Sequence, residues 1–115
     1  MHSVSSNAVA SAMLFPKALN SYYFYDHDTI KTPIPVNAGE TEATGYLLTY
    51  MSHTDAGDQT FVELYLIRVG YSGNNHTETL IASSGNVGTY RPTFGVSNDG
   101  YLTVYVPLKS RVCIY

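Results

Sequence analysis

The chain has no tryptophan, a single cysteine and little charge. Of its 115 residues, 13% are Asp, Glu, Lys or Arg, about half the usual share in soluble proteins. With Cys113 alone, no internal disulfide is possible; between Val112 and Ile114 it reads as a small strand residue. Lys and Arg nowhere cluster, Lys109 and Arg111 being the closest pair. This excludes the basic stripe with which a nucleic-acid binder displaces counterions, and the basic amphipathic helix of a membrane-surface binder. No apolar run approaches the ~20 residues that span a bilayer, so membrane insertion is not expected. The N-terminus lacks the basic and apolar regions of a signal peptide. After the first sixteen residues almost nothing carries helical periodicity.

What is present is apolar and aromatic. Apolar residues make up 44% of the chain, enough for a core, and eleven tyrosines accompany four phenylalanines. Tyrosine favours strands and is enriched at interfaces, where its ring buries and its hydroxyl stays wet. The length fits one domain.

Residues 1–16 read as a short capped helix. Ser5 serves as N-cap, Val4 staples onto Val9, and Pro16 ends the helix. About ten residues are marginal as an isolated helix, so its apolar side must lean on something. Ala8, Ala10, Ser11 and Ala12 permit close approach, and the same helix in another copy of the chain is the expected neighbour.

Residues 17–115 read as an all-β head. Tyr22–Tyr25 is a first strand, and Pro33-Ile34-Pro35 suits a sheet edge. Gly45–Met51 is a strand. Phe61–Val69, apolar almost throughout, is expected to be central and covered on both faces. Thr77–Ala82 and Tyr90–Val96 follow. Asn98-Asp99-Gly100 predicts a type I′ hairpin turn. In Tyr101–Leu108, Leu102, Val104, Val106 and Leu108 share the core face, while Tyr101, Thr103 and Tyr105 face a partner, a ligand or water. Val112 and Ile114 of the last strand point inward. Seven or eight strands at this spacing predict an antiparallel β-sandwich, jelly-roll-like, preceded by the helix.

No residue pattern specifies chemistry. Asp26-His27-Asp28 alternates its side chains in an extended segment and reads as a solvated turn. His53, Asp55 and Asp58 lack the ligand pattern of a calcium loop. No nucleophile elbow occurs, and no carboxylate pair stands out for glycoside hydrolysis. Gly85-Asn86-Val87-Gly88 leads toward a strand and so reads as a turn rather than a phosphate loop. Asn75-His76-Thr77 matches a glycosylation sequon and reads as an ordinary turn. The sequence therefore predicts no catalytic residue, no metal site and no cofactor. Tyr71 and Tyr90, in or beside loops, are the candidates for ligand contact.

The segment His2-Ser3-Val4-Ser5-Ser6-Asn7-Ala8-Val9-Ala10-Ser11-Ala12-Met13 resembles a motif written N-P-V-x-S-x-A-V-x-x-A-L. That motif recurs before the C-terminal β-rich heads of tail-fibre and receptor-binding proteins of tailed bacteriophages. His2-Ser3 replace its Asn-Pro, and Met13 replaces its Leu. The resemblance implies a C-terminal piece of a longer fibre on a virion: a homotrimer whose head binds a host-surface receptor, a glycan or a protein. In such a trimer Val4, Val9 and Met13 lie along the shared axis, Ala8 and Ala12 allow close packing, and Tyr101, Thr103 and Tyr105 line a subunit interface. A non-enzymatic fibre tip is thus the leading expectation. A monomeric carbohydrate-binding module or bacterial adhesin domain on the extracellular surface is the second, and a polysaccharide-degrading enzyme domain the third.

Overall fold

In the computed structural model, which describes residues 20–24, 27–36, 43–54, 59–70 and 75–115, eight strands form two antiparallel sheets. They are β1 (Asn20–Phe24), β2 (Asp28–Pro35), β3 (Ala43–Thr54), β4 (Gln59–Gly70), β5 (His76–Gly85), β6 (Thr93–Val96), β7 (Tyr101–Val106) and β8 (Ser110–Ile114). The larger sheet runs β1-β8-β3-β4-β5 and the smaller β2-β7-β6. The described residues are all-β and sandwich-like, as the alternating pattern predicts. The expected helix over residues 1–16 lies outside the described residues.

Pairing of β1 with β8 and of β2 with β7 is the nesting of a jelly roll. The β3-β4-β5 meander departs from an even division and makes one sheet wider than the other. β7 alternates as predicted: Leu102, Val104 and Val106 are fully buried, and Tyr101, Thr103 and Tyr105 half-buried. They meet Leu48, Tyr50 and Ile67 from the larger sheet, with Val112 and Ile114 of β8, in one core. Cys113, on the opposite side of β8, is also buried.

β2 is an edge strand, open on one side, where two residues without a backbone N–H are tolerated. Its register against β7 shifts between Lys31 and Pro35. Inside that irregular stretch the buried Thr32 hydroxyl donates to the Leu102 carbonyl at 2.7 Å and accepts from the Ile34 N–H at 3.3 Å. A side chain thus completes pairing that Pro33 cannot.

Two expectations are corrected. β4 is central, between β3 and β5, but is not covered on both faces. Phe61, Glu63, Tyr65, Ile67 and Val69 are buried, whereas Val62 and Leu66 are 37% and 45% exposed. A two-layer sandwich covers one face of each sheet, so even a continuously apolar strand buries alternate side chains. The β6–β7 turn is not type I′. Gly100 N–H donates to the Ser97 carbonyl at 3.0 Å and Ser97 N–H to the Tyr101 carbonyl at 2.8 Å. Only Gly100 takes positive φ, at 87°. This is a type I turn closed by a left-handed glycine, which spares Asn98 and Asp99 that conformation.

Candidate partner-binding surfaces

Three regions present side chains outward. The first is the outer face of the wide sheet. Ladder partners share a face, so three rows cross β3, β4 and β5 there: Met51–Val62–Ser84, Thr49–Leu64–Ala82 and Leu47–Leu66–Thr79. The middle is apolar, and Val62, Leu64, Ala82, Ser83 and Ser84 line a shallow depression. Arg68 begins the next row and donates to the Thr77 hydroxyl at 3.2 Å. β5 ends the sheet, and a bulge opposite Leu64 and Tyr65 leaves Ile81 as its extra residue, 50% exposed. Leu80 is 36% exposed on the inward side, because the three-stranded sheet does not cover the full width of the five-stranded one.

The second region is the loop from Gly85 to Pro92. Gly85 has φ +85°, and a Cβ there would overlap the Thr60 carbonyl oxygen, so only glycine lets the chain leave β5 so close to β4. Asn86 Oδ1 accepts from Gly88 N–H at 3.1 Å, a local turn, and Val87 is buried. The Tyr50 hydroxyl donates to the Tyr90 carbonyl at 2.6 Å. Arg91 Nε donates to Glu63 Oε2 at 3.0 Å, and the Tyr65 hydroxyl donates to Glu63 Oε1 at 2.7 Å. Glu63 is fully buried, while the Arg91 side chain is 55% exposed. Burial, and then the bond to Glu63, push the Tyr65 hydroxyl far above the ordinary tyrosine pKa. Phe94 of β6 packs edge-on against the Tyr65 ring at 5.2 Å between centroids.

The third is the outer face of the small sheet. Thr29–Tyr105–Thr93 and Lys31–Thr103–Gly95 form two rows, and Pro35 pairs with Tyr101. Lys31 Nζ lies 5.2 Å from the Tyr101 ring centroid and 2.6 Å from Asp99 Oδ2. The hydrogen bond to Lys31 lowers the Asp99 pKa, but both partners are exposed and the pair contributes little. At Gly95 a Cβ would sit 3.1 Å from the Thr103 hydroxyl, so glycine leaves that hydroxyl its space.

Of the residues singled out in the sequence, Tyr90 stands exposed on the anchored loop, and Tyr101, Thr103 and Tyr105 share one outward face. Val4, Ala8, Val9, Ala12, Met13 and Tyr71 lie outside the described residues, as do Asp26, Asp55 and Asp58. Sequence reasoning missed Glu63, Arg91 and the outward Val62 and Leu66. A signal was available for the loop, since Pro92 and two glycines bracket it. None was available for β4, whose two faces are almost equally apolar.

Among the described residues no group of three or more His, Cys, Asp or Glu side chains converges on a metal position. His76 Nδ1 is hydrogen-bonded to Glu78 Oε2 on β5. Glu78 pairs with Ile67, four residues along β4 from Glu63 and hence ~13 Å of strand away.

The described residues form a small two-sheet β-sandwich that turns side chains outward in these three regions. No family model matches the chain, and no curated protein matches it. Among solved structures it is similar to the tailspike protein of Acinetobacter phage vB_ApiP_P1, with a TM-score of 0.47 and 12% identity. The similarity covers 84% of this chain and 20% of that one, so the chain spans about a fifth of the tailspike's length.

Proposed function

We propose that this chain is the non-enzymatic receptor-binding head of a phage tail-fibre-type protein, assembled as a homotrimer on the virion and attaching to a host-surface glycan or protein. The observation that carries the proposal is the apolar outer face of β3, β4 and β5, in a chain with only 13% charged residues. Contiguous apolar surface on a soluble protein marks an interaction site. Three copies around an axis bury such a face in a closed ring.

Magnitudes say what else the assembly needs. Covering the exposed remainder of Val62, Leu66 and Ala82 returns on the order of 2–3 kcal/mol per copy. Association itself costs about 4–15 kcal/mol. The face therefore needs a second contact, the role that the motif resemblance gives to residues 1–16. The expected result of light scattering behind a sizing column is a trimer, lost on deleting residues 1–15. A monomer at tens of micromolar overturns the trimer. A monomer that still binds glycans instead establishes the carbohydrate-binding-module alternative.

A further inference from the structure

The loop that leaves β5 is tied to the sandwich from below and still turns two neighbouring side chains outward. Val87 and Pro92 are buried at its ends. Tyr90 N–H donates to the Val87 carbonyl at 3.0 Å, and the Tyr90 carbonyl accepts from Tyr50. The backbone at Tyr90 is thus fixed on both sides. Tyr90, 39% exposed, extends from a backbone tied at both its N–H and its carbonyl.

Arg91 is held just as firmly, but at one atom. Its Nε–H is spent on Glu63 Oε2. Tyr65 donates to the other Glu63 oxygen, and the bond from Arg91 to Glu63 is made by Nε. The two terminal nitrogens carry four more N–H donors, on a side chain that is 55% exposed. A guanidinium gripped at Nε presents those two nitrogens as a flat fork, and a fork of this kind matches the two oxygens of a carboxylate. Because a buried carboxylate fixes its orientation, little side-chain entropy is lost when a ligand binds.

We propose that Tyr90 and Arg91 form a subsite for an acidic saccharide, a pyranose bearing a carboxylate. The apolar C–H face of the ring lies on the Tyr90 phenol, and the carboxylate takes the two terminal nitrogens of Arg91. The proposal rests on the receptor-binding function above and deepens it by naming the ligand class. Two adjacent side chains between buried anchors suit a single sugar; a protein contact needs roughly 800 Å² on each partner. The whole chain carries a net charge of −3, so general attraction does not gather an acidic ligand. Recognition falls to the oriented guanidinium.

The test is an array of bacterial surface glycans in which each glucuronate-, galacturonate- or sialate-containing oligosaccharide is printed beside its carboxyl-reduced form, probed with the full chain. Preference for the acidic form by about tenfold or more is expected, since hydrogen bonds to charged groups are the strong ones. Arg91→Lys keeps a cation beside Glu63 but loses the fork, and is expected to cut binding about tenfold with its thermal melting unchanged. Tyr90→Ala is expected to weaken acidic and reduced forms alike. Equal binding of the two forms, or a folded Arg91→Lys protein that binds like the parent, overturns the subsite and leaves the receptor-binding function standing. If no glycan on the array is bound, both the subsite and the glycan-receptor reading fall.

Discussion

Glu63 lies at 0% exposure on the inward side of β4, where an isolated carboxylate would be driven out. It stays because Tyr65 and Arg91 each satisfy one of its oxygens. Glu63→Ala strands the Tyr65 hydroxyl and frees the loop, and is expected to lower stability by about 2–3 kcal/mol in denaturant melts. Thr32 plays the same part on β2; Thr32→Val keeps the shape, removes both bonds of the hydroxyl, and is expected to cost about 1–2 kcal/mol. Tyr65 also makes stability depend on alkali. Its folded pKa is raised by burial and by Glu63, so the folded state favours the protonated phenol. That contribution is complete below the unfolded tyrosine pKa of about 10 and is lost as pH rises toward the folded value. Phenolate absorbance should show Tyr65 resisting ionisation until the protein unfolds, and Tyr65→Phe should flatten the alkaline loss. Ionisation of all tyrosines in the ordinary range would contradict this placement.

At the scale of elements, β4 and β5 do two jobs with their two faces. Inward, β4 supplies Phe61, Tyr65 and Ile67 to the core; outward, Val62, Leu64 and Leu66 form the apolar stripe. Leu66→Asp tests these roles separately. The side chain is already 45% exposed, so the monomer should lose no more than about 0.5–1 kcal/mol. The proposed trimer should dissociate, because an uncompensated carboxylate would be buried at every copy of the proposed contact. A Leu66→Asp protein with the parent's mass by light scattering would move the subunit contact elsewhere. The anchored loop beside β5 is also an element-scale device: glycine at 85, a local turn at Asn86 and two bonds to side chains of β3 and β4 hold Tyr90 and Arg91, which themselves lie in no helix or strand.

For the whole molecule, the connectivity makes the last strand a keystone. β8 lies between β1 and β3, so it joins β1 to the rest of the five-stranded sheet. Without residues 110–115, β1 loses its ladder partner and the core loses Val112 and Ile114, both fully buried. A chain ending at Lys109 is expected not to fold, as read by far-ultraviolet circular dichroism and proteolysis. Pairing of β1 with β8 also requires closing a long stretch of chain as a loop, which places folding on the millisecond-to-second scale of non-local β topologies.

The sequence by itself determined the class and most of the strands. Leu102, Val104 and Val106 alternate cleanly with Tyr101, Thr103 and Tyr105, and a clean alternation has one way to sit in a sandwich. It also marked the turns, since Gly85, Gly88 and Gly100 take the positive φ angles that such turns require. Only the tertiary structure decided which side of β4 faces out. Along Phe61–Val69 both alternating sets are apolar, and the one acid, Glu63, belongs to the buried set because Tyr65 and a distant Arg91 satisfy it there. Periodicity records where side chains point relative to their neighbours along the chain. The choice between core and surface depends on partners supplied by other strands.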